Sequence, residues 1–223
     1  MDRREFLTAR RKTTSRQHKT TAKPFRTESG IMAYTGAWTI NEVTHLLKRT
    51  MFGATKADID HFLSGSMSQA VDELLNPSTT LPAPPVNDYS GEVADTSVGA
   101  GQTWVNNPVA EDSEDLNDAR SRSFKKWWIG TMINQDRSIR EKLTLFWANH
   151  FGTQVGTIKL SHFVYKHNDL LRKSCLGNFK QFVKDVTIDG GMLRFLNEST
   201  HERRPFPDRH PAIACIAAAG TLS

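Results

Sequence analysis

Residues 138–156 read "SIREKLTLFWANHFGTQVG", and the period of this stretch decides the fold. Leu143, Phe146, Trp147 and His150 fall at i, i+3, i+4 and i+7, the spacing of one face of an α-helix. Ser138 with Glu141 three residues on is the pattern of a capping box, and Gly152 suits the helix stop. Read this way, Phe146 and Trp147 supply core area. Asn149 and His150 then stand at the negative end of the helix, where a charged imidazole is stabilised.

The same grammar runs outward in both directions. Residues 39–76 predict three short helices. Thr39 with Glu42 opens the first, and Val43, Leu46 and Leu47 form its face. Thr55 caps the second, whose stripe is Ile59, Phe62 and Leu63, and Gly65 is expected in the left-handed position that ends it. Ser66 with Gln69 opens the third, with Val71, Leu74 and Leu75 as its face and Pro77 as its stop. Residues 77–111 carry Pro77, Pro82, Pro84 and Pro85, then Gly and polar residues, and read as a long loop pinned by Tyr89 and Trp104.

Helical period returns over 112–135 through Leu116, Ala119, Phe124, Trp127, Trp128 and Met132. After a loop at 153–158, residues 159–176 repeat it with Leu160, Val164, His167, Leu171 and Cys175, closed by Gly177. Asn178 caps a further helix carrying Phe179, Phe182, Val183 and Val186. A turn at 189–191 leads into a short helix, "MLRFLN". No alternating strand pattern stands out, so the expected fold is all-α, a multi-helix orthogonal bundle with an irregular loop at about 77–111.

The chain has 223 residues, 38% hydrophobic and 24% charged, within the range of globular proteins. No run approaches the ~18–20 apolar residues of a membrane-spanning helix. Residues 1–30 carry nine Lys/Arg against three acids, which leaves the rest of the chain near neutral. Residues 1–36 are therefore expected to be a disordered basic leader. Arg3, Arg4, Glu5, Phe6 and Leu7 resemble a twin-arginine export motif, but the apolar segment of a signal peptide does not follow. No aromatic-and-basic platform accompanies the leader, so nucleic-acid binding is not expected. Two cysteines, Cys175 and Cys215, make no disulfide framework.

Candidate chemistry is sparse. His150 and His167 lie on the apolar sides of neighbouring helices, so two imidazoles and a carboxylate could hold a metal there. Core histidines satisfied by backbone or amide groups would give the same pattern. Trp127 and Trp128 could form a binding platform, with Asn149 as a further binding candidate. Helical spacing alone also explains the tryptophans as core. "VGAGQT" near 98–103 lacks the lysine of a phosphate-binding loop, and no nucleophile elbow is present.

Five segments together carry a family resemblance: "HLLKRTMFGATKADID" (45–60), "FKKWWIGTMI" (124–133), "REKLTLFWANHFGT" (140–153), "NDLLRKSCLGNFKQFV" (168–183) and "MLRFLN" (192–197). In this order they resemble the bacterial proteins of domain-of-unknown-function family 1800. The resemblance implies a mainly helical protein over residues 37–200. It implies an envelope-associated or periplasmic place if the family habit holds, and a cytoplasmic one if the leader is no signal. It also implies a twin-arginine-exported partner encoded nearby. It assigns no reaction, catalytic residue or cofactor. Residues 201–223 depart from the family pattern, which reads as an incomplete family domain. Apolar faces left bare by a truncation or a frame change would favour self-association. The expected role is a structural or interaction component of the cell envelope. The alternative is a metal-dependent or hydrolase-like enzyme with a site near His150 and His167.

Overall fold

The computed structural model describes residues 34–109 and 112–201, with side chains to residue 196. The chain divides into two units, Met1–Gly36 and Ala37–Ser223, and the architecture below belongs to the second. The leader with its twin-arginine-like motif, and Cys215 with the tail after residue 201, lie outside the described residues.

The described residues form an all-α fold: α1 (Ile40–Thr50), α2 (Lys56–Leu63), α3 (Met67–Leu75), α4 (Glu114–Ile133), α5 (Arg140–Phe151), α6 (Val155–Ile158), α7 (Ser161–Ser174), α8 (Phe179–Thr187) and α9 (Gly190–His201). Their only β-type pairing is an isolated bridge between Val86 and Thr103. The capping boxes of α1 and α3 form as read, and Asp58 completes a third at Thr55. Each satisfies orphan backbone N–H groups, which allows such short helices to start sharply.

Two cores result. Val43, Leu47, Met51, Phe62, Ala70 and Leu74 form a small one within α1–α3. The larger gathers Trp104, Phe124, Phe151, Val164, Leu171, Phe182, Val186 and Met192. Helix α7 is its axis, packed against α4, α5, α6, α8 and α9. The loop before α4 is anchored as expected, with Tyr89 and Trp104 both buried. Its turns close through Asn87, whose N–H donates to Gln102 O (2.8 Å) and whose side chain donates to Val98 O (2.8 Å).

Several local expectations are corrected. Helix α5 starts at Arg140, its N-cap Ile139 makes no side-chain bond, and Ser138 contributes only a long one, its Oγ accepting from Arg140 N–H at 3.4 Å. Ser138 is buried, and Glu141 does not reach back to it, because both carboxylate oxygens are claimed by Arg172. The core face of α5 is also turned from the expected one. Glu141, Thr144 and Phe151 are buried, whereas Phe146 is 54% exposed and His150 is exposed. Gly152 does sit in the left-handed region, φ 67°.

On α3 the inward face is Ala70 and Leu74, with Leu75 exposed, and on α2 Leu63 is exposed. Gly65 is not left-handed, since the Ser64 hydroxyl closes α2 by donating to His61 O. The loop expected at 153–158 contains α6. The turn expected at 189–191 is the start of α9, capped by Asp189, whose carboxylate accepts from Met192 N–H at 2.8 Å.

Candidate functional site

Three features of the described residues have the makings of a site: buried charge clusters, a cleft, and an aromatic face. The charge clusters come first because they fix the helices that carry the others.

Arg120 on α4 is fully buried. Its Nη2 donates to Asp95 Oδ2 (2.6 Å) and Ser97 Oγ (3.1 Å), its Nε to Tyr89 Oη (3.0 Å), and its Nη1 to Asn107 O. One guanidinium therefore gathers four points of the long loop. Burial alone would raise the Asp95 carboxyl, but hydrogen bonds from Arg120, Ser97 and Tyr89 overcome it and hold the group at about 2. Burial, reinforced by Asp95, pushes Tyr89 up to about 12, so its hydroxyl stays a donor.

Arg172 on α7 is the second buried guanidinium. Nε donates to Glu141 Oε1 (2.6 Å), Nη2 to Glu141 Oε2 (2.9 Å) and Nη1 to Asn168 Oδ1 (2.8 Å). The cation also lies over the Trp127 ring, 4.9 Å from its centroid. Such a forked pair is sterically exacting. It locks α5 and α7 at one register and backs the floor of a cleft.

That cleft encloses about 600 Å³ between the extended segment 78–82 and the facing ends of α4 and α5. Leu81, Pro82, Trp127 and Gly130 supply apolar wall, and Gln135, Arg140 and Glu141 supply polar groups. Two side chains hold the extended segment: Arg140 Nη2 donates to Ser78 O, and Trp127 Nε1 donates to Ala83 O at 2.6 Å.

The aromatic face lies on the outer side of α5 and the α7–α8 turn. Phe146 and Phe179 are each more than half exposed, and Leu176 is 39% exposed. Half-buried Trp147 joins them, its ring 5.0 Å from Phe146 and 5.6 Å from Phe179.

The expected site residues separate onto different surroundings. His150 is exposed, stacked on Phe146 (6.0 Å, 15° between planes) and edge-on to Trp147. Asn149 is exposed beside it. His167 is buried, and its Nδ1 meets Asp189 Oδ2 at 2.8 Å, while its Nε2 is buried without a hydrogen-bond partner. No group of three or more His, Cys, Asp or Glu among the described residues is placed to hold a metal ion. Trp127 and Trp128 are half-buried against the main core, and Trp127 also lines the cleft. Cys175 is half-buried, and burial pushes its thiol up, which disfavours the thiolate.

Arg120, Asp95 and Arg172 carry no local motif in the sequence, and Glu141 reads there as a helix cap rather than as a buried charge. Arg120 and Ser123 share the buried side of α4, so an interrupted apolar stripe was the available signal. No described helix is long and apolar enough to cross a membrane.

A family model described as "Protein of unknown function (DUF1800)" matches residues 45–205. No curated protein and no solved structure matches the chain.

Proposed function

For a chain that belongs to the DUF1800 family of proteins of unknown function, we propose a role as a structural or interaction component of the bacterial cell envelope. Its partner is a protein, docked on the aromatic face of α5 and the α7–α8 turn. The observation that carries this reading is Phe146 and Phe179 standing more than half exposed around Trp147. Contiguous exposed aromatics cost free energy in water, and large aromatic anchors dominate protein–protein contacts. The partner implied by the family resemblance is a twin-arginine-exported protein encoded nearby.

Site-specific photo-crosslinking in cells tests this. A crosslinker at position 146 or 179 is expected to trap one discrete partner, in the envelope fraction, where a crosslinker at position 56 traps none. A cytoplasmic chain with no product above that control would sink the reading. A product of twice the chain mass would replace the partner with a second copy.

One observation favours an enzymatic alternative near His150 and His167. Asp189 orients the His167 ring through Nδ1 and leaves Nε2 without a partner, the arrangement of a general base with its orienting carboxylate. Metal analysis and thermal melting of the full chain, with and without His150→Ala and His167→Asn, separate the two. Stoichiometric metal lost in both variants supports a metal site. Absence of metal, with a lowered melting temperature in His167→Asn alone, supports a structural role for His167.

A further inference from the structure

We infer that the cleft between segment 78–82 and the α4–α5 junction binds a small organic carboxylate with a flat apolar body. The volume, about 600 Å³, lies within the range of small-molecule sites. Its chemistry is uneven in an informative way. Leu81, Pro82, Trp127 and Gly130 form the apolar part of the lining. The polar groups belong to the junction of the two helices, and two of them have capacity to spare.

Arg140 is the first. Among the described residues its guanidinium makes one hydrogen bond, Nη2 to Ser78 O. Nε and Nη1 keep their donors available on a half-buried side chain that lines the cleft. A planar fork with free donors matches the paired oxygens of a carboxylate. Gln135 is the second. The residue lines the same cleft, and its buried side-chain oxygen has no hydrogen-bond partner. A buried acceptor left without a donor is destabilising, and a ligand N–H or O–H removes that cost.

The nearby carboxylate does not oppose an anion. Both oxygens of Glu141 are engaged by Arg172, whose charge offsets it. Arg140 and Glu141 are the first two residues of α5, so the positive end of that helix adds a favourable field at the same end. Asp136, also in the lining, is exposed, so solvent screens its charge, and it accepts from the Ser138 hydroxyl at 2.6 Å. The ligand is thus an apolar ring system with a carboxylate for Arg140 and one donor for Gln135. This site is separate from the aromatic face and does not depend on the partner-binding reading.

Three probes of one shape make the test: indole-3-acetate, indole-3-acetamide and tryptamine. Each is titrated into the full chain by calorimetry, with the indole N–H resonances followed by NMR. Indole-3-acetate is expected to bind at least tenfold more tightly than the other two. Arg140→Gln is expected to weaken it at least tenfold, and Gln135→Leu several-fold. Because Arg140→Gln also frees segment 78–82, Gly130→Leu provides a second variant. It fills the cleft from a helix surface, where an added Cβ would meet no neighbour within 4 Å, and should abolish binding with little change in melting temperature. Phe146→Asp should leave binding intact. Equal binding of the three probes, no binding by any, or binding that survives both Arg140→Gln and Gly130→Leu would overturn the inference.

Discussion

Arg172 and Glu141 meet in the interior as a two-pronged ion pair, 2.6 and 2.9 Å across its two arms, with both side chains at least 96% buried. Asn168 and the Trp127 ring also contact Arg172, but neither carries a charge that could replace that of Glu141. Arg172→Met therefore leaves a buried carboxylate and should cost about 3–5 kcal/mol. Glu141→Leu should cost a similar amount. The double variant should be less damaged than the two losses added together, because it strands no charge. Urea melts of the four proteins give the coupling directly, and strict additivity would refute it.

Among the described residues Asp95 is the only carboxylate bonded to Arg120, so Asp95→Asn strands the guanidinium. The expected cost is again about 3–5 kcal/mol. Its local signature is distinct, because the loop from 87 to 107 loses its anchor. Limited proteolysis should show new cleavage within this loop before the helices are cut. An unchanged digestion pattern would contradict the anchoring role.

Helix α5 presents Phe151 inward and Phe146 outward. Phe151→Ala should cost about 3–5 kcal/mol through the cavity it leaves. Phe146→Ala and His150→Ala should each stay within about 0.5 kcal/mol. Thermal melts of the three variants distinguish this orientation from the opposite one.

Burial, aided by Lys166, Arg120 and Arg194, lowers His162 below its ordinary value of 6.5. The unfolded chain thus takes up a proton at a pH where the folded chain does not. The contribution is fully present above about pH 6.5 and is lost as pH falls through the lower, folded-state value. Replacing His162 with Phe removes that proton uptake. Denaturant melts at pH 7.5 and 5.5 should show a smaller acid loss in His162→Phe than in the parent. An equal loss would place the sensitivity elsewhere.

The fold class and most helix positions were legible because caps and apolar period are local signals. Thr39, Ser66 and Asn178 announce their helices within four residues. The facing of α5 was not legible. Apolar spacing pointed to Phe146, but the helix turns inward the face that carries Glu141, whose partner Arg172 is 31 residues away. A charge reads as surface until its counterion is placed, and that placement is tertiary. Arg120 was hidden in the same way, 25 residues from Asp95. The cleft combines residues 78–82 with 127–141, a juxtaposition no local pattern contains.

The small α1–α3 core meets the rest of the fold along a largely polar seam. Ile139 N–H donates to Leu74 O at 3.0 Å, and Arg137 Nε donates to Asp58 Oδ1 at 3.0 Å. Lys142 Nζ lies 4.6 Å from the centre of the Phe52 ring. The two cores share no buried apolar residue, which lowers the cooperativity expected between them. In native-state hydrogen exchange the amides of α1–α3 should exchange as one block, at a lower opening free energy than those of α7. The molecule then behaves as two thermodynamic units, the smaller able to open while the larger stays folded.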